Sequence, residues 1–194
     1  MNQIDYHANF LNSISDISED IVEELLKISD LKTVKAGNQI VKLGEIPSKV
    51  YMLVSGVVRC YISTESGKEF NKSFYLPITF VAPLTALINQ CPSIFVFETL
   101  LDCELYEVDY KKFMELCKKY DDLNTLYTKI IETVYITYEK RLVDLISLDA
   151  KDRYLELRNE IPNVETLIPQ YHIASYLGIT PVQLSRIRKK NGSC

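Results

Sequence analysis

Hydrophobic positions change their spacing three times along the chain. After Ser18, with Glu19 and Asp20 placed at the positive end of a helix dipole, Ile21, Leu25 and Ile28 recur at helical spacing and predict a short amphipathic helix. Over 31–108 the texture becomes short β-branched and aromatic runs punctuated by Gly37, Gly44, Gly56 and Gly67, as in a barrel or sandwich. Ser55-Gly56, between runs at 49–53 and 57–63, reads as a hairpin, and Ser66-Gly67 marks another turn. Residues 83–90 suit one or two helical turns, followed by strands around 95–100 and 104–108.

Asp109 then caps a helix to about 119, and Asp121 or Asp122 opens a long one to about 148, free of Gly and Pro. Leu123, Tyr127, Ile130, Val134, Tyr138, Leu142 and Leu145 make an apolar stripe along it. At 1.5 Å per residue this helix is about 40 Å long, more than a small barrel needs for cover. The stripe is therefore expected to meet a second copy of the chain, the alternative being that it packs on its own β domain.

The most specific local pattern lies at 170–190. Ile173, Ala174 and Leu177 give one helix a buried face, Gly178 supplies a positive φ to end it, and Ile179 plugs the corner. Thr180 is an N-cap, Pro181 occupies the first helical position, and Gln183 completes a capping box. Leu184 and Ile187 face inward, leaving Val182, Ser185, Arg186 and Lys189 outward, flanked by Gln183, Arg188 and Lys190. The pattern reads as helix, tight turn, helix.

Charge sharpens that reading. The 194 residues carry a formal net charge of −4, yet 150–194 hold seven basic against four acidic residues, and Arg186, Arg188, Lys189 and Lys190 fall within five positions. A cationic helix face fits a polyanion. Arg186 is the best candidate for a bidentate contact to guanine. Gln183 could read adenine or only cap its helix, and Ser185, Arg188, Lys189, Lys190 and Thr180 suit the phosphate backbone or its border. His172 is expected at the surface or on a phosphate. Five scattered cysteines (Cys60, Cys91, Cys103, Cys117, Cys194) and two histidines (His7, His172) offer no metal-binding spacing, so no metal, no cofactor and no enzymatic activity are expected. Without a membrane-length apolar run or a signal sequence, a cytoplasmic location is expected.

Taken together, Gly37, Gly44-Glu45, Tyr51, Leu53 and Gly56, the run from Cys103 to Leu116, and Ile173-Ala174, Leu177-Gly178-Ile179-Thr180 and Leu184-Ser185-Arg186-Ile187 resemble the Crp/Fnr family of bacterial transcription regulators. The resemblance implies an α+β fold: a double-stranded, jelly-roll-like β-roll sensor domain of the cyclic nucleotide-binding type over 1–120, a dimerisation helix over 121–148 and a DNA-binding helix-turn-helix over 149–194. With four residues after Lys190, a full wing is expected to be missing. The implied partners are double-stranded DNA, a second copy of the chain and a small effector, with RNA polymerase a further candidate and no membrane.

Departures from the family narrow the effector. Where cyclic-AMP-binding members hold ribose with Gly-Glu and phosphate with Arg-Ser, this chain has Ala82-Pro83 and Ser93-Ile94. A phosphodiester without an arginine partner would lose its hydration uncompensated, so a response to cyclic AMP is not expected. Phe74, Phe80, Pro83, Leu84, Leu87, Phe95 and Phe97, with Ala82, Ser93 and Ile94, suggest a pocket for an apolar effector, or else an ordinary core. The expected function is a homodimeric regulator of pseudo-palindromic DNA; the alternative is a ligand-sensing or protein-interaction module without specific DNA binding.

Overall fold

The computed structural model describes residues 17–190; His7 and Cys194 lie outside them. Helix α1 (Glu19–Lys27) leads into strands β1 (Ser29–Val34), β2 (Gln39–Val41), β3 (Lys49–Ser55), β4 (Val58–Ser63), β5 (Glu69–Tyr75) and β6 (Thr79–Val81). Helix α2 (Leu84–Asn89) precedes β7 (Val96–Thr99) and β8 (Cys103–Asp109). Then follow α3 (Tyr110–Lys119), α4 (Asp121–Ser147), α5 (Ala150–Glu160), α6 (Val164–Leu167), α7 (Gln170–Leu177) and α8 (Pro181–Lys190).

Two four-stranded antiparallel sheets, ordered β1-β8-β3-β6 and β2-β7-β4-β5, form the roll. Val41, Tyr51, Leu53, Val58, Cys60, Val81, Phe97, Cys103 and Leu105 make one core cluster. A second joins α1, α3 and the start of α4 to Met52 and Tyr106 of the roll, through Val22, Leu25, Cys117, Leu123 and Leu126. The third belongs to the C-terminal helices, where Tyr154, Ile168, Ile173, Leu177 and Leu184 are almost fully buried, and it includes Val57 of the roll.

Ser66-Gly67 closes a true hairpin, β4 pairing with β5. Ser55-Gly56 does not, which corrects the hairpin expected there: β3 and β4 lie in different sheets, and this dipeptide is the corner between them. A tight turn and a sheet-to-sheet corner use the same residue types, and only the neighbours separate them. At Gly56, φ is +90°, and a Cβ would stand 2.5 Å from both the Asp102 carbonyl oxygen and Cys103 Sγ. Backbone conformation and space both require glycine. Gly56→Ala is expected to cost about 1–3 kcal/mol from the strained backbone alone, with the clash adding to it, read as a lower urea midpoint at unchanged m-value.

Candidate effector cavity and nucleic-acid interface

A cavity of about 490 Å³ lies where the roll, α1 and α4 meet, in the range that takes a small organic ligand. Its walls include Phe80, Ala82, Pro83, Leu84, Ser93, Ile94 and Phe97 from the sequence-predicted set, with Phe95. Phe74 and Leu87 are not among them. Strand alternation places Phe74 opposite Arg59, on the face turned to the C-terminal helices, where its ring lies 5.2 Å from that of Tyr176. Tyr75, opposite Val58, takes the inward place.

Sequence reasoning missed Lys72, the one charged residue among the described residues of the walls. Register shifts on β5: Cys60 faces Ser73 and Tyr61 faces Asn71, so Lys72 is the extra residue of a bulge. The bulge breaks the two-residue alternation, turning Lys72 to the cavity and Asn71 away from it. The Lys72 ammonium sits 4.4 Å from the centre of the Phe95 ring and 4.5 Å from that of Tyr138, cation–π contacts that span from roll to α4. Burial first, and then Tyr138, raise the Tyr75 hydroxyl well above its ordinary value, so it stays a neutral hydrogen-bonding group.

From Leu123 to Tyr138 the apolar stripe of α4 lies against its own domain. Leu123 is fully buried in the protein's own core, and Tyr127, Ile130, Val134 and Tyr138 wall the cavity. Of the stripe, only Leu142 and Leu145 are exposed, alongside Tyr135, Ile136, Val143 and Ile146. The helix thus carries two apolar faces, and spacing alone does not tell which one its own domain covers.

On the outer face of the second sheet, α7 covers the open edge of β5. Ser175 Oγ accepts from the Asn71 backbone N–H at 3.0 Å and donates to the Glu69 carbonyl at 2.9 Å, satisfying edge groups that would otherwise be bare. His172 is 4% exposed, so its expected surface placement is corrected. Its Nδ1 accepts from Arg59 Nη1 at 3.1 Å and Asn71 Nδ2 at 3.3 Å. Arginine only donates, so Nδ1 must be the acceptor and the ring is neutral. Arg59, itself buried, is paired with Glu69 at 2.5 Å and Glu98 at 2.9 Å. Burial, and secondarily the Arg59 cation, bring the His172 pKa down to about 4 against the opposing pull of Glu69. Two further arginines reach carbonyls at the end of α7: Arg141 of α4 donates to Tyr176 at 2.7 Å and lies over its ring, and Arg153 of α5 donates to Leu177 at 3.1 Å.

The predicted caps of the helix pair form. Gly178 has φ +70°, the Gln183 N–H donates to Thr180 Oγ1 at 3.2 Å, and Gln183 Oε1 accepts from the Thr180 N–H at 2.9 Å. Leu184 is buried; Thr180, Val182, Gln183, Arg186, Lys189 and Lys190 are exposed, with Ser185 half-buried between. Arg188 differs from its fellows. Its Nε is buried without a hydrogen-bond partner, and its charge acts on Tyr154 and Glu165.

Residues 31–120 match the family described as the cyclic nucleotide-binding domain. Among solved structures, the c-di-GMP-responsive global regulator CLP of Xanthomonas campestris superposes with a TM-score of 0.72 at 16% identity, over 90% of this chain and 91% of that one. FixK2 of Bradyrhizobium japonicum gives 0.71 at 18%, over 84% of each chain. A putative transcriptional regulator of the Crp/Fnr family from Eubacterium rectale gives 0.70 at 15%, over 90% of this chain and 83% of that one. The chain has the Crp/Fnr fold. A comparison with functionally curated proteins finds no match.

Within the Crp/Fnr fold, Ala82, Pro83, Ser93 and Ile94, the positions counted for nucleotide contacts, all wall the cavity. Ser93 Oγ is already engaged, donating to the Phe95 carbonyl at 2.8 Å and accepting from the Phe95 N–H at 3.2 Å. Among the described residues no arginine or carboxylate is in the walls, so the ribose and phosphate partners the resemblance calls for are not found there. Among the described residues no group of His, Cys, Asp and Glu could hold a metal, and no helix is long and apolar enough to cross a membrane.

The His172 contact sets a pH dependence. A pKa lowered from 6.5 to about 4 favours the docked, neutral ring, so its contribution is complete above about pH 6.5 and declines as pH falls towards 4. Amide exchange in α7 is expected to quicken, relative to the rest of the chain, between pH 7.5 and 5, and His172→Gln to flatten that dependence. An α7 protected equally at both pH values would show that the buried ring does not govern docking.

Proposed function

We propose that this chain is a sequence-specific, DNA-binding transcription regulator that acts as a homodimer under the control of an effector other than cyclic AMP. The observation that carries the reading is α8: a helix fixed at its start by a reciprocal capping box and anchored by Leu184, with Arg186, Lys189 and Lys190 presented outward. Such a helix matches the width and charge of the major groove. The Crp/Fnr-type neighbours, regulators by their descriptions, support the same reading.

Arg186 is the base reader. Gln183 Oε1 is spent on the cap, so that side chain has only its NH₂ to offer a base edge. Lys189 and Lys190 neutralise phosphates, the Ser185 and Thr180 hydroxyls donate hydrogen bonds to them, and Arg188 and His172 support the helices from within. Two recognition helices on a pseudo-palindrome enter grooves about 34 Å apart, so the geometry of the dimer decides the fit. RNA polymerase is a further partner in this reading, and the cytoplasm its location.

Dimerisation through α4 uses the face the roll leaves open. Ile136 and Val143 lie seven residues apart, Leu142 and Val143 lie four and three before Ile146, and Ile146 is 77% exposed. That is the periodicity of a helix–helix seam. Ile136→Glu with Val143→Glu is expected to turn the sedimenting species from dimer to monomer; an unchanged dimer would move the interface elsewhere.

Selection from random duplexes tests the DNA reading. A two-fold symmetric site is expected, with Arg186→Ala relaxing one base position in each half at a cost of about 1–3 kcal/mol, and Lys189→Ala weakening all sequences alike and lowering the salt slope. If no sequence is enriched with or without cell extract, the helix pair serves protein contact instead.

A further inference from the structure

Of the residues that wall the cavity, Lys72 alone carries a charge, and it has no carboxylate within ion-pair distance among the described residues. Other basic residues of the roll do better: Arg59 has Glu69 and Glu98, and Lys35 has Asp102. A β-bulge turns the side chain inward, and Phe95 and Tyr138 hold the ammonium by their ring faces without neutralising it. Around it the walls are aromatic and aliphatic, among them Phe80, Phe97, Tyr106 and Phe113. An ammonium set between two ring faces without a carboxylate partner is open to an anion, and an anion that brings its own apolar body suits both the charge and the walls.

We infer that the cavity takes a monoanionic, largely apolar acid, its carboxylate on Lys72 and its hydrocarbon or aryl body among the aromatic walls. This rests on reading the cavity as the effector site and adds to it the charge and the orientation of the ligand. A cyclic nucleotide is a poor occupant, because its sugar and base need several polar partners and Ser93 is already engaged. The position also reaches the DNA-binding helices. Tyr138, against the Lys72 ammonium, lies one helical turn before Arg141, whose guanidinium holds the Tyr176 carbonyl at the end of α7. A carboxylate on Lys72 draws the ammonium away from the Tyr138 ring, and that change falls on the stretch of α4 that positions the helix pair.

The test uses the full chain and calorimetric titration with two matched pairs, biphenylacetate against biphenylethanol and dodecanoate against dodecanol, with cyclic AMP alongside. At least one acid is expected to bind about tenfold or more tighter than its alcohol, as suits a charge-assisted contact. Lys72→Met should erase that preference while leaving alcohol binding in place, and Lys72→Arg should keep it. Where Lys72→Met does not fold, the wild-type comparison decides alone. If alcohols bind as well as acids, the charge assignment falls and the effector reading of the cavity stands. If none of the four binds, both fall. Cyclic AMP binding more tightly than either acid overturns the proposal and restores the nucleotide.

Discussion

A buried cation organises the face on which the helix pair rests. Arg59 is 4% exposed and held between Glu69 and Glu98, and its Nη1 also donates to His172 of α7. A guanidinium withdrawn this far from water must have its donors satisfied, so its partners are fixed in direction as well as number. Glu69 and Asn71 belong to the same edge strand whose backbone Ser175 closes. Ion pair, imidazole and strand edge therefore share one set of neighbours, and displacing α7 would leave all three incomplete together. That gives the contact between roll and helix pair the character of a two-state element, the kind an effector can bias.

Helix α4 links that element to the cavity. One face closes the cavity with Tyr127, Ile130, Val134 and Tyr138, while Arg141, a turn later, holds the end of α7. The opposite face exposes Ile136, Val143 and Ile146, where the proposed dimer would form. In the proposed dimer, a ligand that shifts this helix would touch both the distance between the two copies of α8 and the docking of each. Coupling of this kind needs no long chain of contacts, because one rigid element has all three surfaces on it.

Within the cavity, chemistry is decided by what the family positions lack and what the bulge supplies. Ala82, Pro83, Ser93 and Ile94 stand where the resemblance placed ribose and phosphate partners, and they leave an apolar wall. Lys72 restores a single positive charge from another strand. In the proposed reading the Crp/Fnr fold is retained while the recognition chemistry moves, as expected when function resides in side chains placed on a scaffold.

The sequence by itself determined the local structures whose interactions close within a few residues. The Thr180–Gln183 capping box, the Gly178 turn, the Asp109 cap of α3 and the turn at Gly67 all form as read. Tertiary structure decided what depends on which neighbour arrives. It turned the α4 stripe from Leu123 to Tyr138 inward, because the helix is apolar on two faces and periodicity counts both. It made Ser55-Gly56 a corner instead of a hairpin, because Asp102 and Cys103 pack against that glycine. It buried His172 against Arg59 and Asn71, more than a hundred residues away in the chain. It placed Lys72 in the cavity through one extra residue in a strand, a shift of register that belongs to the pairing of two strands and is written in neither alone.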